Sequence, residues 1–225
     1  DLKPNRLEAA KQVASDFVLA RPNDQIGLVV FAGESFTQCP LTIDHAVLVN
    51  LFQSVEYGMI EDGTAIGLGL ANAVNRMKDS QTKSKVVILL TDGSNNRGEI
   101  DPQTAAEIAK TFGIRVYTVG VGSYGQARVP VQTPIGTQYI TMDSEFDETT
   151  LQRIAQTTGG QYFRATDNSS LKKIYEQIDQ LEKTKLRVRE YAKHTENFAP
   201  FLYAALLCLL GEILLRYFVL RTITQ

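Results

Sequence analysis

The sequence predicts an α/β fold: a Rossmann-like open, mainly parallel sheet with helices on both faces, followed by one carboxyl-terminal transmembrane helix. Three observations carry this expectation. Val86-Val87-Ile88-Leu89-Leu90 is an unbroken run of apolar, mostly branched residues, the pattern of a strand buried on both faces in a helix-covered parallel sheet. Helix-like and strand-like segments alternate on either side of it. From Phe198 to Leu220 the sequence is apolar on all faces, over a length about sufficient to span a bilayer.

Composition narrows the function classes. A chain of 225 residues, 44% hydrophobic and 21% charged, forms one ordinary globular core with residues to spare, and the spare part lies at the carboxyl end. A net charge of -2 provides no basic excess to neutralise phosphates, so nucleic acid is not an expected partner. Of the two cysteines, Cys39 follows a strand-like segment and Cys208 lies within the apolar run. No disulfide between them is expected, and neither a CxxC nor a zinc spacing occurs.

The sequence opens at Asp1, without a methionine or a signal peptide. It enters a helix from Pro4 to Ala20, with Leu7, Ala10, Val13, Ala14, Phe17 and Val18 at helical spacing and Arg21-Pro22-Asn23-Asp24 as the stop. Ile26 to Phe31 reads as a strand, and Phe36 to Cys39 as a shorter one bounded by Pro40. A helix from about Asp44, its N-cap, to Tyr57 precedes one from about Thr64 to Lys78. Then comes the central strand, closed by Thr91-Asp92-Gly93. Pro102 opens a helix that Gly113 ends, and Ile114 to Gly120 is the next strand. Residues 128–142, with Pro130, Pro134 and Gly136 between short β-rich runs, read as an inserted hairpin. A helix from Asp147 to Thr158, a strand from Gln161 to Arg164 and a helix from Ser169 to Glu182 complete a domain over 1–182. Residues 183–197 are a mixed-charge stalk continuing the last helix, 198–220 the membrane span, and 221–225 a short tail. Glu212, four residues before Arg216, reads as an ion-pair partner near the interface.

Asp92 stands at the carboxyl end of the central strand, where open α/β sheets bind ligands. Several chemistries are unsuited to it. Gly120-Val121-Gly122-Ser123-Tyr124-Gly125 spells a dinucleotide fingerprint, but it leads into the hairpin and not into a helix that would receive a pyrophosphate, so no nucleotide is expected. A phosphatase loop of the DxDG type needs a carboxylate nucleophile where Leu90 stands. The two histidines, His45 at a helix start and His194 in the stalk, are not placed to serve a serine nucleophile. Hard oxygen ligands remain: the hydroxyl of Thr64 in Asp62-Gly63-Thr64-Ala65-Ile66-Gly67 and the carboxylate of Asp92 suit Mg²⁺ or Mn²⁺. Taken singly, Thr64 has an ordinary role as a helix N-cap and Asp92 as a turn residue.

DGTAIG, followed after a helix by VVILLTDGSNN, resembles the von Willebrand factor A domain, as does the order of elements from Pro4 to about Glu182. The resemblance is closer still to bacterial membrane proteins of the Bat, or aerotolerance-operon, type. It runs through Asp1-Leu2-Lys3-Pro4-Asn5-Arg6-Leu7, the hairpin insert, Thr158-Gly159-Gly160-Gln161-Tyr162-Phe163, and a span ending in Glu212-Ile-Leu-Leu-Arg216-Tyr. It implies a metal-ion-dependent adhesion site built from DxSxS in a first loop, a Thr in a second and an Asp in a third. Thr64 and Asp92 match the last two. No DxSxS occurs in this sequence, and Asp92-Gly93-Ser94-Asn95-Asn96 has Asn where the second Ser would be. In the family DxSxS lies just before a segment like Asp1 to Arg6. The sequence is therefore expected to lack the first central strand and about three of five protein contacts to the metal implied by the resemblance.

The resemblance implies a binding or scaffold module and not an enzyme, one that recognises a carboxylate of a protein partner through Mg²⁺ or Mn²⁺. It further implies a place in the bacterial inner membrane, a periplasmic domain, and partners among membrane or periplasmic proteins of the same stress or aerotolerance system. The charges argue partly against that orientation, since Lys183, Lys185, Arg187, Arg189 and Lys193 precede the span while Arg216 and Arg221 lie at its end. The alternative is a Mg²⁺-dependent hydrolase or phosphotransferase using Asp92, with Asp62 as the nearest second carboxylate in the motifs.

Overall fold

The structure is a computed structural model that describes residues 2–122, 126–133, 136–143, 147–191 and 199–218. It divides into two compact units, Asp1–Glu182 and Lys183–Gln225. In order, the first unit contains α1 (Arg6–Leu19), β1 (Ile26–Phe31), β2 (Ser35–Thr42), α2 (His45–Gln53), α3 (Ile66–Met77), β3 (Lys85–Thr91), α4 (Pro102–Thr111), β4 (Ile114–Val121), β5 (Gln126–Thr133), β6 (Gly136–Asp143), α5 (Glu148–Thr158) and β7 (Tyr162–Ala165). Helix α6 (Asn168–Tyr191) runs from the first unit into the second, which also holds α7 (Ala199–Phe218).

The expected α/β architecture is present. β3, β4 and β7 form a parallel sheet in that order, with Leu90 beside Val119 and Thr118 beside Tyr162. The sheet separates two apolar layers because side chains alternate along each strand. From β4, Tyr117, Val119 and Val121 join α1 and α6 through Val13, Ala14, Leu171 and Ile178. Ile114 and Val116 face the other way onto α3, α4 and α5 through Leu70, Ala106 and Ile154. Buried helices therefore cover both faces, as a parallel sheet requires.

β1 and β2 form a separate antiparallel pair, and among the described residues β3 is hydrogen-bonded to β4 only. The consequence shows in burial. β4, flanked on both sides, is buried at every position but Arg115, whereas every residue of β1 is only half-buried and β3 is buried only at Leu89 and Thr91. The layer that α3 heads takes side chains from both parts, Phe31 of β1 and Val87 of β3.

The bounds of four elements differ most from the sequence reading. β2 continues through Pro40 to Thr42, which is possible because among the described residues it pairs with β1 alone and Pro is tolerated on such an outer strand. α2 stops at Gln53 and α3 starts at Ile66, not at Thr64. The hairpin expected over 128–142 is an antiparallel pair, β5 with β6, beginning two residues earlier with Gln126 opposite Asp143. Residues 123–125 of the GxGxxG stretch lie outside the described residues, and the next element is β5, a strand. His194 and most of the stalk's second half, like the tail, also lie outside them.

The first unit ends on a buried polar knot. The Tyr117 hydroxyl donates to Glu182 Oε1 at 2.5 Å, Ser84 Oγ donates to Glu182 Oε2 at 2.9 Å, and Arg115 forms an ion pair with the same carboxylate. Glu182 is 5% exposed and Tyr117 fully buried, so the charge is tolerated through these partners. In the second unit α7 exposes Leu202, Tyr203, Leu206, Leu207, Leu209, Leu210 and Ile213. Among the described residues no helix is long and apolar enough to cross a membrane, so the expected span is not established by the fold.

Candidate functional site

The site is built at the carboxyl ends of β3 and β4. β3 terminates at Thr91, whose hydroxyl donates to the Gly93 carbonyl at 3.2 Å, turning the chain sharply after the strand. This places Asp92 at the rim, its side chain 58% exposed. Gly93 is needed for the close approach of the neighbouring loop: a Cβ there would lie 2.9 Å from Thr64 Oγ1. Thr64 and Asp92, distant in sequence, thus come from loops in direct contact.

The loop before α3 is held by main-chain bonds. Ala65 N donates to Ala32 O at 2.6 Å and Gly33 N to Glu61 O at 2.8 Å, tying it to the end of β1. Asn96 N and Arg97 N donate to Thr64 O at 3.0 and 3.3 Å, tying it to the loop after β3. The N-cap of α3 is Ala65, with no side-chain cap, so Thr64 is not the capping residue that its position suggests. Its hydroxyl makes no hydrogen bond among the described residues.

Asp92 has a partner that the sequence pattern did not signal. Arg6, the first residue of α1, places Nη1 3.3 Å from Asp92 Oδ2. The same guanidinium lies against Gly122 at the end of β4, where a Cβ would sit 2.8 Å from Nη2 and φ is +135°. Arg6 therefore bridges the ends of two adjacent strands. Tyr57 senses the same charge: partial desolvation and then the negative charge of Asp92 hold its phenol above the ordinary range. Asp62, the second carboxylate considered from sequence, is exposed, and Glu61 pairs with Arg97 at 3.8 Å.

A hydroxyl and a carboxylate in contacting loops are donors of the kind a hard divalent cation takes. The hydroxyl without a hydrogen bond fits a ligand role, so Thr64 and Asp92 fit such an ion in kind. They do not fit it in number, since Mg²⁺ requires near-octahedral oxygen coordination. Among the described residues no group of three or more His, Cys, Asp or Glu could hold a metal ion.

An open parallel sheet covered by helices on both faces defines an α/β domain of the open-sheet class. The von Willebrand factor type A domain model matches residues 3–177, and the chain belongs to that family. Among curated relatives, an uncharacterized protein of Borreliella burgdorferi is 28% identical over 207 residues, covering 92% of this chain and 60% of its own length. A UPF0353 protein of Mycolicibacterium paratuberculosis is covered over 55% of its length. The chain thus spans little more than half of these relatives. Among solved structures, the conserved hypothetical protein BatB from Bacteroides thetaiotaomicron superposes with a TM-score of 0.70 at 32% identity, covering 81% of this chain and 91% of that one. An aerotolerance-related membrane protein from Bacteroides fragilis gives 0.66 at 31%, covering 78% and 88%. Proximal thread matrix protein 1 from the mussel byssus, solved with zinc in its metal-ion-dependent adhesion site, gives 0.61 at 27%, covering 80% and 41%.

Proposed function

We propose that this chain is the protein-binding part of a membrane-anchored scaffold of the aerotolerance type, and that its binding site takes a divalent cation with Thr64 and Asp92 among the ligands. The observation that carries the reading is the contact between the two loops at Gly93, which sets an unengaged threonine hydroxyl against the residue that follows a rim carboxylate. When bound, the cation would offer an open coordination position to a carboxylate of a partner protein. In the site that the family resemblance implies, the remaining protein ligands would belong to a DxSxS motif, which these 225 residues do not contain. The zinc-bearing mussel protein and the membrane protein of Bacteroides fragilis support the two halves of the proposal by likeness. The exposed apolar side chains of α7 support its assignment as the anchor over 198–220, and the domain is proposed to face the periplasm.

The test is thermal unfolding of the full-length protein with and without Mg²⁺ or Mn²⁺. A ligand that binds only the native state raises Tm by mass action. Asp92→Ala should abolish the rise and Thr64→Ala should reduce it. An undiminished rise in Asp92→Ala would place the cation elsewhere and remove the basis for the proposal.

A further inference from the structure

Asn95 and Asn96 belong to the loop after β3, yet their side chains serve the backbone of the loop before α3. Asn95 Oδ1 accepts a hydrogen bond from Ile66 N at 2.8 Å, and Asn96 Oδ1 accepts one from Thr64 N at 2.8 Å. Ile66 is the first residue of α3, and the first N–H groups of a helix have no partner within it. Ordinarily a Ser, Thr, Asp or Asn immediately before the helix supplies the acceptor. Here Ala65 occupies that place, and Asn95 acts as the cap from another loop.

The arrangement has a consequence for Thr64. Its N–H and carbonyl are both held by the residues 95–97 loop, the carbonyl receiving two N–H groups, while its hydroxyl remains unengaged. Had Thr64 itself been the N-cap, that oxygen would have been directed to the helix backbone. We infer that Asn95 and Asn96 are positioning residues of the cation site: Asn95, by capping α3 from the opposite loop, and Asn96, by holding the Thr64 N–H, fix Thr64 against Gly93 and leave its Oγ1 available to a ligand. This rests on the proposed role of Thr64 and Asp92. It assigns the two asparagines a part that neither a ligand role nor simple turn formation would give them.

The test combines amide hydrogen exchange with Mn²⁺ calorimetry on the full-length protein. Asn95→Leu and Asn96→Leu should lose protection at the Ile66 and Thr64 amides respectively, and each should weaken the Mn²⁺ Kd by about tenfold. Asn96→Asp keeps the accepting oxygen and should restore both protection and affinity. Asp44→Ala removes the cap of a different helix, α2, where Asp44 Oδ1 accepts from Val47 N at 3.1 Å. It should lower Tm and leave Kd unchanged. Unchanged Mn²⁺ affinity in both leucine variants overturns this inference alone, as does an equal loss in Asp44→Ala. A wild-type protein that binds no Mn²⁺ overturns the proposed function and this inference with it.

Discussion

Asp92 and Arg6 show how a single ion pair is weighed at the edge of a domain. At 3.3 Å, with the carboxylate 58% exposed and the guanidinium 19% exposed, the pair is largely screened and contributes well under about 1 kcal/mol to stability. Its effect on ligation is larger, because a guanidinium on Oδ2 competes for the carboxylate that a cation would use. Arg6→Gln should therefore leave Tm nearly unchanged and tighten Mn²⁺ binding by the full-length protein several-fold, read by calorimetry. Weaker binding in that variant would mean that Arg6 supports the site. Tyr117 presents the opposite case, a fully buried group. Burial, and then its hydrogen bond to Glu182, push the phenol well above the ordinary range. A raised acid contributes stability that is present below the unfolded value near pH 10 and lost as pH rises beyond it. Urea unfolding as a function of pH should show a fall in stability above about pH 10, and Tyr117→Phe should flatten it. Part of the fall should persist, since Tyr175 is raised in the same direction by burial.

The helices are set by their caps, and this is where sequence and structure compare most instructively. Asp147 caps α5 by accepting from Thr150 N at 3.0 Å, and Asp167 accepts from Ser169 N and Ser170 N at 2.8 and 2.9 Å before the first turn of α6. The Thr150 hydroxyl first, then backbone N–H groups, hold Asp147 below the usual carboxylate range, and the Ser169 hydroxyl first does the same to Asp167, to about 2. Depressed carboxylates contribute stability above the unfolded value near pH 4, which is lost as pH falls towards 2. Asp147→Ala should cost about 1 kcal/mol at neutral pH and show a shallower loss of stability on acidification than wild type. A parallel shift of the whole acid limb would contradict the cap as its source. Caps of this local kind are legible in a sequence: Asp44 reads as the N-cap of α2, and α5 reads as starting at Asp147. The start of α3 was not, because its cap is Asn95, 29 residues away, and no local pattern records a bond of that span. β3, with Asp92 at its end, was legible from one apolar run. Arg6 was not, since its position beside Asp92 depends on where α1 crosses the sheet.

At the scale of the molecule, the half-buried strands β1 and β3 belong to two separate sheets, so a further strand pairing with both would bury apolar surface that the described residues leave accessible. The same strand, in the position implied by the family resemblance, would bring its following loop to Asp92 and Thr64; completing the sheet and completing the site are then one event. The second unit poses a different solvation problem. α7 runs from Ala199 to Phe218 and presents Leu202, Leu206, Leu207, Leu209, Leu210 and Ile213 outward. A contiguous exposed apolar surface of this kind is unfavourable in water and favourable in a bilayer. Glu212 would lie towards the end of such a span, where a carboxylate costs less than at the centre. In the native host the full-length protein should resist extraction by carbonate and high salt. A version with any other membrane segments removed should remain in the membrane fraction through 198–220 alone, and truncation of that version after Asn197 should release the domain to the soluble fraction. Equal retention after truncation would assign α7 to a soluble packing surface and leave the membrane association to other parts of the protein.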